Sequence, residues 1–128
     1  SATGVVRCMK KLLEENPDTP CVLRGTDFAA KDVFDAAREG DALAAREVDE
    51  MADTLGLALS IIAETTDPEI FLVGGGVARA GDVLFNPLIA HYKEYAFRSC
   101  KETPIKQASL GNDAGIYGAV RLIVGAEV

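Results

Sequence analysis

The sequence is poor in the residues that mark several common classes of protein. It has no tryptophan and one histidine, and its 13 Lys and Arg residues are outnumbered by 20 Asp and Glu residues. The formal charge of -7 and the isoelectric point near 4.6 argue against a nucleic-acid surface, because phosphate recognition requires clustered cations. We therefore expect this chain to bind no nucleic acid.

Long apolar runs and paired cysteines are also missing. No apolar run approaches the roughly 20 residues that a membrane span requires, and no basic segment precedes an apolar signal core. These features predict a cytoplasmic protein without a membrane partner. Cys8, Cys21 and Cys100 are too far apart for a zinc site or a disulfide framework, so we expect reduced, structural thiols.

The residues that are present suffice for a hydrophobic core. With 128 residues, of which 48% are hydrophobic, we expect a single domain over residues 1-128. Apolar spacing predicts a first helix ending at Asn16 and a second closed by Gly40. Asp41 is expected to cap a long helix that ends at Asp67-Pro68 and whose second half, apolar nearly all round, should be buried.

The second half of the chain alternates strands and helices. Glu69–Val73 is predicted to be a strand covered on both faces, as in a parallel sheet, and residues 103-110 a second strand. Asn86 is expected to cap a helix that starts at Pro87, and Asp113 to cap a final buried helix. The fold class predicted is α/β, with long buried helices on a small sheet. Because two strands leave open edges, we expect the chain to be part of a larger protein.

The helix predicted after Pro87 should pack through one apolar face. The residues expected on this buried face are Leu88, Ile89, Tyr92 and Tyr95.

Three consecutive glycines, Gly74, Gly75 and Gly76, follow the first predicted strand. Glycine permits positive φ angles and close approach of a ligand, and a following helix offers free N–H groups to phosphate. A P-loop is excluded because Asp82 stands where Lys is required, and the dinucleotide fingerprint is excluded because Arg79 replaces its third glycine. The local pattern leaves a ligand loop and a simple tight turn as open alternatives.

Other candidates have structural explanations. Asn112 and Asp113 could contact a ligand, but an Asx turn that caps a helix accounts for them equally well. Gly115 and Gly118 would permit close helix packing. We expect the single His91 to be a surface or packing residue, and we assign neither a metal ligand nor a catalytic residue.

The acidic series on the long helix is expected to form a solvated face. Its members are Glu47, Asp49, Glu50 and Asp53.

Three blocks in combination carry a resemblance. They read "DVFDAAREGDALA", "PEIFLVGGGVARAGDVLFNPL" and "ASLGNDAGIYGAVRL". From about Thr26 to Val124 the chain resembles the C-terminal half of the ROK family, which contains bacterial glucokinase-like sugar kinases and sugar-responsive repressors. The resemblance implies part of an actin-like ATPase (ribonuclease H-like) lobe. It also implies that Gly74, Gly75 and Gly76 lie against the adenosine of ATP.

Several family features have no counterpart in this sequence. These are the phosphate-binding loop, the catalytic Asp of the N-terminal lobe and the zinc motif that ends in a sugar-binding Glu. The resemblance therefore implies the C-terminal ATP-binding portion of a glucokinase-like hexose kinase, inactive alone and using ATP with Mg. The alternative is the ligand-sensing domain of a sugar-responsive repressor. A homodimer is compatible with the family, and polyphosphate is the alternative phosphoryl donor.

Overall fold

The computed structural model describes residues 1-125, which form helices packed on a small parallel sheet. In chain order the helices and strands are α1 Ala2–Glu15, α2 Ala30–Arg38, α3 Ala42–Thr66, β1 Phe71–Val73, α4 Asp82–Tyr95, β2 Ile105–Gln107 and α5 Ala114–Val124. Short 3₁₀ helices at Val77–Ala80 and Gly111–Asp113 precede α4 and α5. Among the described residues, no helix has the length and apolar character needed to cross a membrane.

The sheet consists of β1 and β2, paired in parallel with Phe71 opposite Ile105 and Val73 opposite Gln107. The Phe71 amide donates to the Pro104 carbonyl at 2.8 Å, and the Ala108 amide donates to the Val73 carbonyl at 2.9 Å. The prediction of two strands in these segments is confirmed, although each is shorter than expected. Because the strands are parallel, their carboxyl ends lie at the same edge.

The closest helix packing in the core is between α3 and α4. A Cβ atom added at Gly56 would lie 2.7 Å from the Tyr92 amide nitrogen and 2.9 Å from His91 Cβ. Tyr92 is 1% exposed; its ring meets Phe71 edge-on at 5.9 Å, and its hydroxyl donates to the Cys100 carbonyl at 2.7 Å. Tyr92 thus connects the helix pair to β1.

The predicted ends of the first three helices are confirmed. The Asp41 carboxylate accepts hydrogen bonds from the Leu43 and Ala44 amides at 3.1 and 3.0 Å, which satisfies free donors of α3. Gly40 has φ of 94°, and Asp67 closes α3 in the left-handed conformation with φ of 44°. These signals are local, so the sequence alone was sufficient to find them.

The predicted start of α4 is wrong. The helix begins at Asp82, so that Pro87 lies inside it and Asn86 is not its cap. Gly81 adopts φ of 63° and its carbonyl accepts hydrogen bonds from the Leu84 and Phe85 amides, so the helix starts at Asp82 and not at Pro87. Pro87 lacks an amide hydrogen, so it removes one helical hydrogen bond without ending the helix.

The buried face predicted for α4 is only partly confirmed. Leu88 and Tyr92 are buried, whereas Ile89 is half-buried and Tyr95 is 41% exposed. The Tyr95 hydroxyl donates to the Asp53 carboxylate at the surface.

Burial was overestimated for three apolar segments. In the second half of α3, Ile61 is 58% exposed, because α4 covers only the opposite face. Helix α5 has no buried residue, and Leu72 of β1 is 64% exposed. A Cβ added at Gly115 or Gly118 would have no neighbour within 4 Å among residues 1-125. The close helix packing predicted at these two glycines is therefore not found there.

The expected solvated acidic face of α3 is also wrong at one position. Glu47 is 4% exposed, and burial, assisted by the nearby Glu50 charge, raises the pKa of its carboxyl to about 7. Asp49 and Asp53 are accessible as expected, yet they bind His91 on α4, with a distance of 2.9 Å between Asp49 Oδ1 and His91 Nε2. The acidic series is therefore partly a helix-packing surface.

The α3 and α4 contact predicts a strong effect of a single methyl group. Gly56→Ala should lower the free energy of unfolding by about 1–3 kcal/mol, because the new Cβ would collide with the α4 backbone. Gly118→Ala is the matched control, and it should be neutral or stabilising by up to about 1 kcal/mol, since its Cβ enters open space. Urea denaturation measures both, and equal stability of the two variants would contradict this packing.

The buried Glu47 predicts a specific dependence of stability on pH. Because its folded-state pKa of about 7 lies above the ordinary 4.5, stability should fall as pH rises from about 4.5 to 7. Glu47→Gln should remove this fall and raise the free energy of unfolding at pH 8 by roughly 1–3 kcal/mol. The exposed Glu64→Gln is the control and should leave the profile unchanged; a Glu47→Gln profile matching wild type would refute the assignment.

Candidate functional site

Two loops meet at the carboxyl ends of the parallel strands. Residues 74-76 follow β1 and residues 108-113 follow β2. The loops are close, because a Cβ on Gly74 would lie 3.6 Å from Ala108 Cβ. In open α/β sheets, ligands bind in the crevice beyond this edge. The glycines therefore lie where the fold class places a binding site.

Each of the three glycines has a different environment. Gly75 has φ of 86°, a conformation that side-chain-bearing residues rarely adopt, and it turns the chain out of β1. Gly76 adopts a right-handed conformation and begins the 3₁₀ helix Val77–Ala80. Beside both Gly75 and Gly76 the space is open, since within residues 1-125 no atom other than those of the chain neighbours lies within 4 Å of an added Cβ. Of the three, Gly76 lines the adjacent cleft.

This cleft, which we call the α2 cleft, separates α2 from the 3₁₀ helix Val77–Ala80 and has a volume of about 500 Å³. That volume falls within the range of roughly 300–1,000 Å³ for small-molecule sites. Its walls include Ala29, Lys31, Phe34, Arg38, Val77 and Arg79.

The walls of the α2 cleft combine apolar and cationic surface. Phe34 and Val77 present apolar surface, to which a flat aromatic ring can bind. Among the described residues of the lining, Lys31, Arg38 and Arg79 supply three cations and Asp35 supplies the one carboxylate. Hydrogen bonds from Lys31 and then Arg38 hold the pKa of Asp35 below its usual value. The lining therefore carries an excess of positive charge within an acidic protein.

The start of α2 does not add to this electrostatic preference. The Asp32 carboxylate accepts a hydrogen bond from the Ala29 amide at 2.8 Å, which fixes the first turn at the cleft wall and places a negative charge at the helix N-terminus. An aromatic group that carries phosphates would match the apolar surface and the cations of the lining.

The other residues considered in the sequence do not line the α2 cleft. Asp113 occupies the predicted cap position before α5, but its side chain makes no capping hydrogen bond. His91 lies between α3 and α4. Its hydrogen bond with the Asp49 carboxylate is the main cause that raises the pKa of the His91 imidazole. Within residues 1-125, no group of three or more His, Cys, Asp or Glu side chains is arranged to hold a metal ion. All three cysteines are free thiols; Cys100 is buried and Cys8 is exposed.

The contribution of α2 to the cleft was missed at the level of sequence. Lys31, Arg38 and Arg79 are ordinary surface cations by local pattern, and nothing in their spacing indicates a shared site. They come together only because α2 packs against the 3₁₀ helix Val77–Ala80.

Comparison with known proteins gives the family. The model of the ROK family matches residues 1–126. This chain belongs to the ROK family.

The relatives of this ROK family member include sugar kinases. A glucokinase of Halalkalibacterium halodurans is 38% identical over 127 residues, which cover 96% of this chain and 38% of that protein. A solved ROK family glucokinase from Streptomyces griseus, in complex with glucose and AMPPNP, has a TM-score of 0.84 and 29% identity, covering 95% of this chain and 42% of that one. The chain thus spans about two fifths of these relatives. The expected actin-like ATPase fold is confirmed.

A ROK family transcriptional regulator, a homologue of the E. coli MLC protein, shares the fold of the ROK chain. Its TM-score is 0.72 at 20% identity, with 84% of this chain and 27% of that chain covered. At this identity the likeness is one of fold alone.

Proposed function

We propose that this chain is the C-terminal ATP-binding portion of a glucokinase-like hexose kinase, which transfers the γ-phosphoryl group of ATP to a sugar hydroxyl. The observation that carries the proposal is the α2 cleft. It is apolar and cationic, and it is lined by Gly76, the last of the three glycines that follow β1. The similarity to the Streptomyces griseus glucokinase, which was solved with glucose and AMPPNP, supports this proposal.

In this proposal Gly74, Gly75 and Gly76 contact the adenosine of ATP. The open space beside Gly75 and Gly76 lets the ligand approach the backbone, and Phe34 and Val77 offer apolar surface to the base. Lys31 and Arg79 attract the phosphates through their charge. The share of this chain in catalysis is to orient ATP, since phosphoryl transfer depends on positioning and on charge stabilisation.

The remaining chemistry is proposed to come from other parts of the kinase. No stretch of the sequence matches the family's catalytic Asp loop, phosphate-binding loop or zinc motif. Mg²⁺ would accompany ATP and neutralise phosphate charge when bound, and the described acidic residues form no cluster suited to hold it. The hexose is proposed to bind outside this chain as well, and the cytoplasm is the proposed location.

The repressor alternative shares the fold and differs in its ligand. A repressor of the ROK type would respond to a sugar, and its DNA-binding module would be separate from this chain. The regulator similar to this chain is only 20% identical, whereas the glucokinase is 38% identical. The cationic α2 cleft also suits a phosphorylated nucleotide better than a neutral sugar. Both observations favour the kinase.

The glycine turn provides the first test of ATP binding. Gly75→Val should weaken ATP binding by at least about tenfold, because a β-branched side chain is strained at φ of 86° and displaces the loop. Gly25→Val is the matched control, since Gly25 has φ of 75° and does not line the α2 cleft. Calorimetric titration with ATP measures both. Equal ATP affinity in Gly75→Val and wild type would contradict the proposed contact.

Catalysis by the isolated chain provides the second test. Purified residues 1-128 should not phosphorylate glucose from ATP, because no residue that we can identify would take the hydroxyl proton. A coupled assay of ADP release measures this, with an active full-length glucokinase as the positive control. Turnover that rises in proportion to the amount of purified chain would show that the proposal is wrong.

A further inference from the structure

A single side chain connects the two walls of the α2 cleft across a long sequence separation. Arg38, the last residue of α2, donates from Nη2 to the Ala80 carbonyl at 3.0 Å. Its Nη1 donates to Asp35 Oδ1 at 2.6 Å. Arg38 therefore binds its own helix and the 3₁₀ helix Val77–Ala80 with two arms of one rigid guanidinium group.

The 3₁₀ helix needs such an external contact. It has four residues, and the hydrogen bonds at its ends, from Arg79 to Gly76 and from Gly81 to Ala78, are both 3.3 Å long. Short 3₁₀ helices have poor hydrogen-bond geometry and depend on their surroundings. The flanking Gly75 and Gly81 both have positive φ angles, so the segment lies between two permissive turns. Within the segment Ala78 and Ala80 are buried in the core, and the Arg38 hydrogen bond adds a polar contact that fixes the segment relative to α2.

The orientation of Arg38 is itself fixed by α2. Asp35, one helical turn earlier, accepts from Arg38 through Oδ1 and from Lys31 through Oδ2. Both carboxylate oxygens are therefore engaged on the cleft-facing side of α2. A charged hydrogen-bond network of this kind holds side chains in one geometry better than an isolated pair does.

We propose that Arg38 is the positioning residue of the nucleotide site: its bond to the Ala80 carbonyl holds the 3₁₀ helix Val77–Ala80 at the distance from α2 that the nucleotide requires. This inference rests on the proposed function for the identity of the ligand, but the hydrogen bond from Arg38 to the Ala80 carbonyl is present without ligand. Arg38 acts by fixing Gly76 and Val77, so it need not touch ATP.

Two substitutions at Arg38 distinguish the effect of its hydrogen bond to the Ala80 carbonyl, which we call the tether, from the effect of its positive charge. Arg38→Lys keeps the positive charge at the cleft, but an ammonium group lacks the planar fork that reaches Asp35 and Ala80 together. Arg38→Ala removes both the fork and the charge. Arg46→Ala is the matched control, because Arg46 forms a similar pair with Glu50 on α3, is 55% exposed against 50% for Arg38, and does not line the α2 cleft.

Hydrogen exchange in the ligand-free chain tests the tether directly. In Arg38→Ala and Arg38→Lys, the amides of Arg79 and Gly81 should exchange about three- to tenfold faster than in wild type, since each tenfold corresponds to about 1.4 kcal/mol of lost protection. Exchange in the core of α3 and α4 should be unchanged, which shows that the variants are folded. Arg46→Ala should match wild type throughout. Unchanged exchange at Arg79 and Gly81 in both Arg38 variants would overturn the proposal.

ATP affinity then tests the consequence for binding. Both Arg38 variants should bind ATP several-fold more weakly than wild type and Arg46→Ala. Wild-type affinity in Arg38→Lys, with weak binding only in Arg38→Ala, would show that the charge matters and that the tether does not. If wild type itself failed to bind ATP, the proposed function would be wrong, while the exchange result would still decide whether Arg38 holds the 3₁₀ helix.

Discussion

The close contact between α3 and α4 at Gly56 positions the sheet and the glycines that follow it. The α4 backbone at Tyr92 comes so close to Gly56 that no Cβ fits between them. This approach brings the Tyr92 ring onto Phe71, and the Tyr92 hydroxyl onto the Cys100 carbonyl. One close helix crossing therefore determines where β1 lies. It also determines where the glycines that follow β1 leave the sheet.

Helix α2, which forms one wall of the α2 cleft, is positioned by the N-terminal end of α3. Gly40 and Asp41 reverse the chain between α2 and α3, and the Asp41 carboxylate also accepts the Val22 amide at 2.8 Å, which ties the preceding loop to this corner. Helix α3 thus carries α2 at its N-terminal end and α4 along its length. The α2 cleft lies between segments positioned by the same long helix, so its shape depends on contacts remote from it in sequence.

The features that could be predicted from the sequence are those that depend on residues close together in the chain. The cap at Asp41 and the end of α3 at Asp67-Pro68 involve neighbours within a few positions, and both predictions are confirmed. The glycines after β1 were recognisable for the same reason. The early start of α4 depends on the conformation of Gly81, and competing signals at Asn86 and Pro87 hid it. Burial of Glu47 and exposure of α5 depend on which other segments cover them, which periodicity does not encode.

The candidate site also has a part that the sequence predicts and a part that it does not. Its glycine half was accessible from a strand followed by glycines, whereas its α2 half, with Lys31 and Arg38, required the packed structure. We propose that these two halves together bind ATP, and the decisive measurement is a map of amide chemical shifts of the labelled chain during ATP titration. Saturable shifts are expected at Lys31, Gly76 and Val77, with none at the end of α3. Shifts absent at high ATP, or confined to the separate cavity lined by Glu64 and Cys100, would contradict it.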